Sequence, residues 1–211
     1  GGTQHSLSRT GVMSSNKKAL YIGMDLGTSR TAVSGSNGIR ESVATCVGYP
    51  KDVVAAKYLN GRKIVFGAEA IELRTSLEFY QPLARGVIKK EGLGDKDAER
   101  QFQAARDIVR HAIGLVRDGQ AAPQTFCVIG APARASDTNK RLLVDAVKDL
   151  VDSVLICSEP FAVAYGMDRL DEALVIDIGA GTVALCRMHG TLPDPADQIR
   201  LETAGHYVAQ Q

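Results

Sequence analysis

The chain has 211 residues, and its 25 basic and 24 acidic side chains leave a net charge of +1. Charges so evenly mixed give no electrostatic footprint for nucleic acid or an anionic lipid surface, which disfavours both as partners. A hydrophobic fraction of 45% is ample for a core, yet no apolar run reaches the roughly 18 residues that cross a bilayer and no basic segment leads into an apolar signal core. No direct membrane insertion and a cytoplasmic location are therefore expected.

Residues 1–18, GGTQHSLSRTGVMSSNKK, are small, polar and non-periodic; they read as a disordered leader or tag, with Met13 a candidate start. Strands are expected at 19–26, 30–35 and 39–45, the last two joined by Asn37-Gly38 as a type I′ hairpin turn. Within 48–67 the pair Asn60-Gly61 marks a turn before a short strand, and GAEAIELRTSLEF, starting at Gly67, reads as a helix. Residues 95–119 place Phe102, Ala105, Ile108, Val109, Ala112, Ile113 and Val116 at helical spacing. That stripe predicts a core-facing helix, a filament neighbour being its alternative partner.

A strand at 125–132 and a helix at 135–150, capped by Ser136 or Asp137, come next. SVLICSEP then reads as a strand and PFAVAYGMDRL as a helix, with Pro160 in a first turn where its missing N–H costs nothing. Strands alternating with helices predict an α/β layer around a mixed sheet.

Twice, an apolar strand runs into an aspartate followed by a glycine-rich hairpin: LYIGMDLGTSRTAV around Asp25 and ALVIDIGAGTVAL around Asp177. Glycine permits positive φ and close backbone approach, and the N–H groups of such a turn can form a nest for an anion, with Thr28, Ser29 or Thr182 adding hydroxyl donors. A carboxylate beside phosphate is repelled unless a divalent cation or its waters lie between, so Asp25 and Asp177 point to a metal. Two such loops facing each other would grip a nucleoside triphosphate. An ordinary strand-to-turn junction explains either loop taken alone.

Cys46, Cys127, Cys157 and Cys186 lack the paired spacing of a zinc site and read as reduced thiols in apolar surroundings. His5, His111, His189 and His206 have no ligand partner at short spacing and read as surface or helix-face residues. There is no GxxxxGK[ST] phosphate loop and no HExxH, and GLGD at 92–95 sits in a charged linker instead of following a strand.

Together, IGMDLGTSRTAV, SEPFAVAYG and VIDIGAGTVAL resemble, in order and separation, the phosphate 1, connect 1 and phosphate 2 motifs of the actin, sugar kinase and heat-shock chaperone ATPase superfamily. From residue 19 onward, GYPKDV, VIGAPARAS, SEPFAVAYG, DIGAGT, GTLPDPADQ and AGHYV resemble the bacterial actins that align magnetosomes. The resemblance implies an actin-like, ribonuclease H-like α/β fold: domain I over 19–170, with a mixed sheet and helices on both faces, and the start of domain II over 171–211. It also implies ATP and Mg2+ as cofactors, self-association into filaments, and a full-length actin-like paralogue and magnetosome-associated adaptor proteins as partners.

Carried over by position, Asp25 would hold the cation through waters, with Asp177 beside it. The backbone of Gly27, Thr28, Ser29 and Arg30 would wrap the phosphates from one side, and that of Gly179, Ala180, Gly181 and Thr182 from the other. Glu159 would orient the attacking water with Asp177 as partner carboxylate. Without the resemblance, Glu159 is a helix N-terminal glutamate favoured by the dipole, and Asp177 a polar strand end.

Two departures stand out. The second loop usually continues Gly-Thr-X-Asp or Gly-Thr-X-Glu, whereas this chain has Gly181-Thr182-Val183-Ala184, which predicts slow turnover. The family's adenosine motif, connect 2 helix and most of the second lobe have no counterpart within these residues, so weak or absent ATP binding and an unpaired apolar edge over 173–189 are expected. A fragment of a longer protein, a natural truncated paralogue and a decayed gene product are alternative origins. A non-enzymatic lobe that caps or modulates a full-length filament, and a small-molecule kinase, are alternative functions.

Overall fold

The computed structural model describes residues 19–90, 92–119, 124–190, 192–201 and 204–205. The expected leader, Met13, His5, His206 and most of the AGHYV tail lie outside the described residues.

The chain opens with β1 (Leu20–Leu26), β2 (Arg30–Gly35) and β3 (Arg40–Ala44), an antiparallel meander. Next, β4 (Val47–Pro50), α1 (Val53–Tyr58), β5 (Val65–Phe66), α2 (Gly67–Glu72) and β6 (Leu77–Tyr80) build a satellite sheet in the order β5-β4-β6. A short hairpin, β7 (Leu83–Ala84) and β8 (Val87–Ile88), precedes the long helix α3 (Asp95–Arg117). There follow β9 (Thr125–Ala131), α4 (Asp137–Val147), β10 (Ser153–Ser158) and α5 (Glu159–Gly166), then β11 (Ala173–Ile178), β12 (Val183–Met188) and β13 (Gln198–Leu201).

The main sheet has the order β10-β9-β1-β2-β3; β9 runs parallel to both β1 and β10, and the rest is antiparallel. In β1 the side chains alternate, Leu20, Ile22, Met24 and Leu26 being buried against Ile108, Val109, Ile113 and Val116 of α3 and Leu143 and Val147 of α4. Each such side chain, fully removed from water, contributes about 1.5–3 kcal/mol. Among the described residues the opposite face, which carries Tyr21, Asp25 and Val128, has no such cover, and α5 borders it. A second, smaller sheet, β11-β12-β13, packs Ala173, Val175, Cys186 and Met188 against Phe161 and Ala164 of α5.

Local signals explain most boundaries. Ser136 caps α4 by accepting from the Asn139 N–H at 3.2 Å, and α3 stops at Asp118, whose φ of 46° ends the helix in a left-handed residue. Asn60 and Gly61 both take positive φ, 53° and 77°, and form the expected turn. The helix expected from Gly67 ends at Glu72, because Leu77 is wanted in a core with Cys46, Leu59 and Val65 and the segment Leu77–Tyr80 pairs with β4. The Asn37-Gly38 turn is not type I′: of that pair only Gly38 adopts positive φ, 89°, and its N–H returns to the Gly35 carbonyl at 3.0 Å. Asn37 is held instead by its side-chain N–H on the Val116 carbonyl, 2.8 Å away, which pins the turn to the end of α3. The expected unpaired stretch at 173–189 is only half so, since β13 pairs along β12 and leaves β11 as an edge.

Candidate functional site

Asp25 sits near the end of β1, in register with Ala32 of β2 and Gly130 of β9. The loop after it, Gly27-Thr28-Ser29, is anchored from behind by Thr45, whose hydroxyl donates to the Gly27 carbonyl at 2.7 Å and whose N–H donates to the Ser29 carbonyl at 2.9 Å. Tying carbonyls back in this way is what an anion cradle requires, because an exposed carbonyl would repel phosphate. A Cβ at Gly27 would stand 2.5 Å from the Arg30 carbonyl oxygen, so this turn excludes any side chain there. The Arg30 guanidinium is engaged on the Ser42 hydroxyl at 2.7 Å, which leaves its backbone as the part next to the loop.

The second loop is closed by the Gly179 N–H on the Thr182 carbonyl at 2.9 Å and braced by the Gly205 N–H on the Gly179 carbonyl at 3.2 Å. Its tip, Ala180-Gly181, faces the first loop. A Cβ at Gly181 would lie 2.9 Å from the Thr28 hydroxyl oxygen and 2.8 Å from the Arg85 Cα, so the two loops meet only because position 181 has no side chain.

Three carboxylates line one cleft beside the strands that lead into the loops: Asp25 on β1, Asp177 on β11, and Glu159 at the start of α5. Burial raises the Asp25 pKa above the usual range, and the neighbouring Asp177 charge raises it further. Glu159 is pushed up to about 7, first by burial, then by the charges of Asp25 and Asp177, with Arg200 pulling the other way. Gly130 makes the space: a Cβ there would come within 3.0 Å of the Glu159 Cγ. A cleft of about 470 Å3 is lined by Asp25, Gly130, Cys157, Glu159 and Asp177.

Mutually repelling carboxylates around one cleft are relieved by a cation. Among the described residues no group of three or more His, Cys, Asp or Glu is arranged to hold a metal by itself. The oxygen donors of these carboxylates are of the hard type that a largely hydrated divalent cation accepts. A larger cavity of about 680 Å3, between Pro132, Arg134, Phe161, Leu192 and Pro195, contains none of the carboxylates.

The strand register explains what the departure at Ala184 does. Asp177 pairs with Ala184, and Ala184 with Arg200, so the three lie in a row across β11, β12 and β13. Reading the sequence alone passes over Arg200 and the β7–β8 hairpin, because Arg85-Gly86 between Leu83-Ala84 and Val87-Ile88 carries no motif. Only the hairpin's left-handed pair, Arg85 at φ 52° and Gly86 at φ 72°, marks it.

The remaining candidates find ordinary places. Cys46, Cys127 and Cys186 are buried and Cys157 is half-buried, all with free thiols. His111 stacks on Phe66 with ring centroids 4.2 Å apart, and His189 pairs with Asp197 at 2.8 Å, a partner that sequence spacing did not suggest.

A profile of the MreB/Mbl protein family matches residues 19–195. The chain is 43% identical over 195 residues to the actin-like protein MamK of Magnetospirillum gryphiswaldense, covering 92% of this chain and 52% of that one. It superposes with a TM-score of 0.81 on the MamK double helical filament, at 42% identity over 92% of this chain and 57% of that one. With a non-polymerising A278D MamK mutant bound to AMPPNP the TM-score is 0.72, at 42% identity over 91% and 57% of the two chains. The chain thus spans about half the length of the relatives it matches. By fold and by sequence it belongs to the MreB/Mbl family of actin-like proteins, alongside the MamK proteins.

Proposed function

We propose that this chain carries the phosphate-gripping half of an ATP-binding actin-like protein whose polymerisation forms a cytoplasmic, magnetosome-associated cytoskeletal filament. On this reading residues 19–170 are domain I and 171–211 begin domain II. The observation that carries it is the meeting of two glycine loops whose incoming strands bring Asp25 and Asp177 into one cleft with Glu159. Gly27, Thr28, Ser29 and Arg30 hold the phosphates from one side and Gly179, Ala180, Gly181 and Thr182 from the other. Asp25 and Asp177 would hold Mg2+. When bound, that cation neutralises charge on the phosphates. Glu159, in its ionised form, takes a proton from the attacking water, with Asp177 orienting it. Turnover is slow, because Ala184 supplies no acid beside the metal waters, and adaptor proteins join the filament to the magnetosome. The relatives' filaments and bound AMPPNP support both parts of this reading.

Isothermal titration with Mg2+–ATP and Mg2+–tripolyphosphate tests the site. The expectation is binding of both ligands at similar affinity, since the described loops and carboxylates address the phosphates alone, and loss of binding by at least tenfold in Asp25→Asn. Absence of Mg2+-dependent binding to the wild-type chain at millimolar ligand would falsify the reading.

A second reading has its own support. Leu174, Ile176 and Ile178 of β11 are 62%, 57% and 73% exposed and form an apolar face with Leu201, as a lobe that caps or modulates a full-length filament would need. Added chain shortening preformed filaments of a full-length relative, at substoichiometric ratio, supports capping; unchanged lengths rule it out.

A further inference from the structure

We propose that Arg200 is a further phosphate-binding residue of this site, held in place by the tip of the β7–β8 hairpin, which forms a third wall of the triphosphate cradle. The inference rests on the nucleotide reading above and adds a cation and a supporting element to it.

Four observations converge. Arg200 stands in register with Asp177, and the residue between them on β12 is an alanine, so no side chain beyond Cβ separates the guanidinium from the carboxylate row. One guanidinium N–H donates to the Arg85 backbone carbonyl at 2.8 Å across a sequence separation of 115 residues, while Nε of Arg200 is buried and without a protein hydrogen-bond partner. A buried donor so left is costly unless something satisfies it, and a guanidinium is suited to phosphate oxygens. The Arg200 charge already acts on Glu159.

The hairpin tip fixes the other partner as well. The Gly86 N–H donates to the Thr28 hydroxyl oxygen at 2.7 Å. A hydroxyl that accepts from one side has its single hydrogen left to donate, so Gly86 aims the Thr28 proton away from the hairpin. Consecutive left-handed residues at Arg85 and Gly86 make the tight two-residue turn that permits this. The tip is wedged on two further sides, since a Cβ at Gly86 would meet Pro132 at 2.5 Å and one at Gly181 would meet Arg85 at 2.8 Å. Moving the hairpin would therefore disturb both phosphate loops and Arg200 together.

An acid at position 184, as in the usual family pattern, would stand beside Arg200 and pair with it. With alanine there, no carboxylate at position 184 competes for the guanidinium. Electrostatics favours such a contact: three carboxylates and a triphosphate share one cleft, and a divalent cation offsets only two charges.

The test uses the whole chain, Mg2+–tripolyphosphate as probe, calorimetry for affinity and the Nε–H resonance of Arg200 in 15N NMR. Expected results are a shift of that resonance on adding the probe, a loss of affinity of at least tenfold in Arg200→Gln with partial recovery in Arg200→Lys, and a similar loss in Ala184→Asp. Thr28→Val should speed hydrogen exchange at Gly86. Unchanged affinity in a folded Arg200→Gln, an unmoved Nε–H signal at saturation, or a loss confined to Arg40→Gln, whose side chain also lines the cleft, overturns the inference and leaves the nucleotide reading intact. A wild-type chain that binds no probe overturns both.

Discussion

The two Asp-Gly hairpins are alike in sequence but unlike in support. The first grows from β1 at the centre of a five-stranded sheet, above a core that runs from Leu20 through α3 to Val147. The second grows from β11, an edge strand whose sheet shares a small core of Ala164, Cys186 and Met188 with one helix. The lesson is that a glycine loop's motif is local, whereas its rigidity is borrowed from the layer beneath it. The first loop is fixed through Thr45 and the main sheet; the second depends on α5, on Gly205 and on contact with the first loop and the β7–β8 hairpin.

The sharpest break of this comparison is a pair of truncations. Ile129→Ala, at a fully buried position of β9, should lower global stability in urea by about 2–5 kcal/mol. Met188→Ala, equally buried in the small sheet, should leave the main urea transition nearly unmoved and speed hydrogen exchange in β11–β13 alone. Equal effects on one shared transition would show that the two regions fold as a unit.

A polar contact in the first region comes next. Asp107, buried on α3, accepts from the Tyr49 hydroxyl at 2.7 Å and from Arg110 at 2.7 Å. Asp107→Ala should cost about 1–3 kcal/mol in urea unfolding, because the Tyr49 donor is left without its acceptor. A cost near zero would remove this network from the account of the first region's rigidity.

Smaller effects arise between the regions. The Glu159 pKa is raised from an ordinary 4.5 to about 7, so the folded chain binds a proton that the unfolded chain has lost, and stability falls as pH rises from about 4.5 to 7. Glu159→Gln should flatten that slope and make the folded chain more stable than wild type at pH 8, as thermal unfolding at pH 5 and pH 8 can read.

The smallest effect lies in the second region. His189 is raised and Asp197 lowered to about 2 by their contact. The His189 contribution is present below its ordinary 6.5 and is lost as pH rises through the higher folded value; the Asp197 contribution is lost as pH falls toward 2. His189→Gln should therefore loosen the turn over 195–197 in hydrogen exchange at pH 5.5 and change little at pH 9.

Sequence reading reached the first region almost whole. β1, β2, α3, β9 and α4 follow from periodicity, and Ser136 from capping chemistry. It placed Asp25, Glu159 and Asp177 by resemblance, and these three do share one cleft. What it missed is non-local. Leu77–Tyr80 is a strand because β4 offers a partner; β13 is a strand because β12 does. Arg200 becomes part of the site only through a register across three strands, and Gly86 only through a hydroxyl 58 residues away. None of these leaves a periodic or compositional trace.

The central claim is that both loops close on a single triphosphate. Hydrogen exchange on the whole chain, with and without saturating Mg2+–tripolyphosphate, tests it most directly. The account predicts that amides at 27–30 and at 179–182 gain protection together and with the same ligand dependence. Protection of one loop without the other, or of neither at saturation, would contradict it.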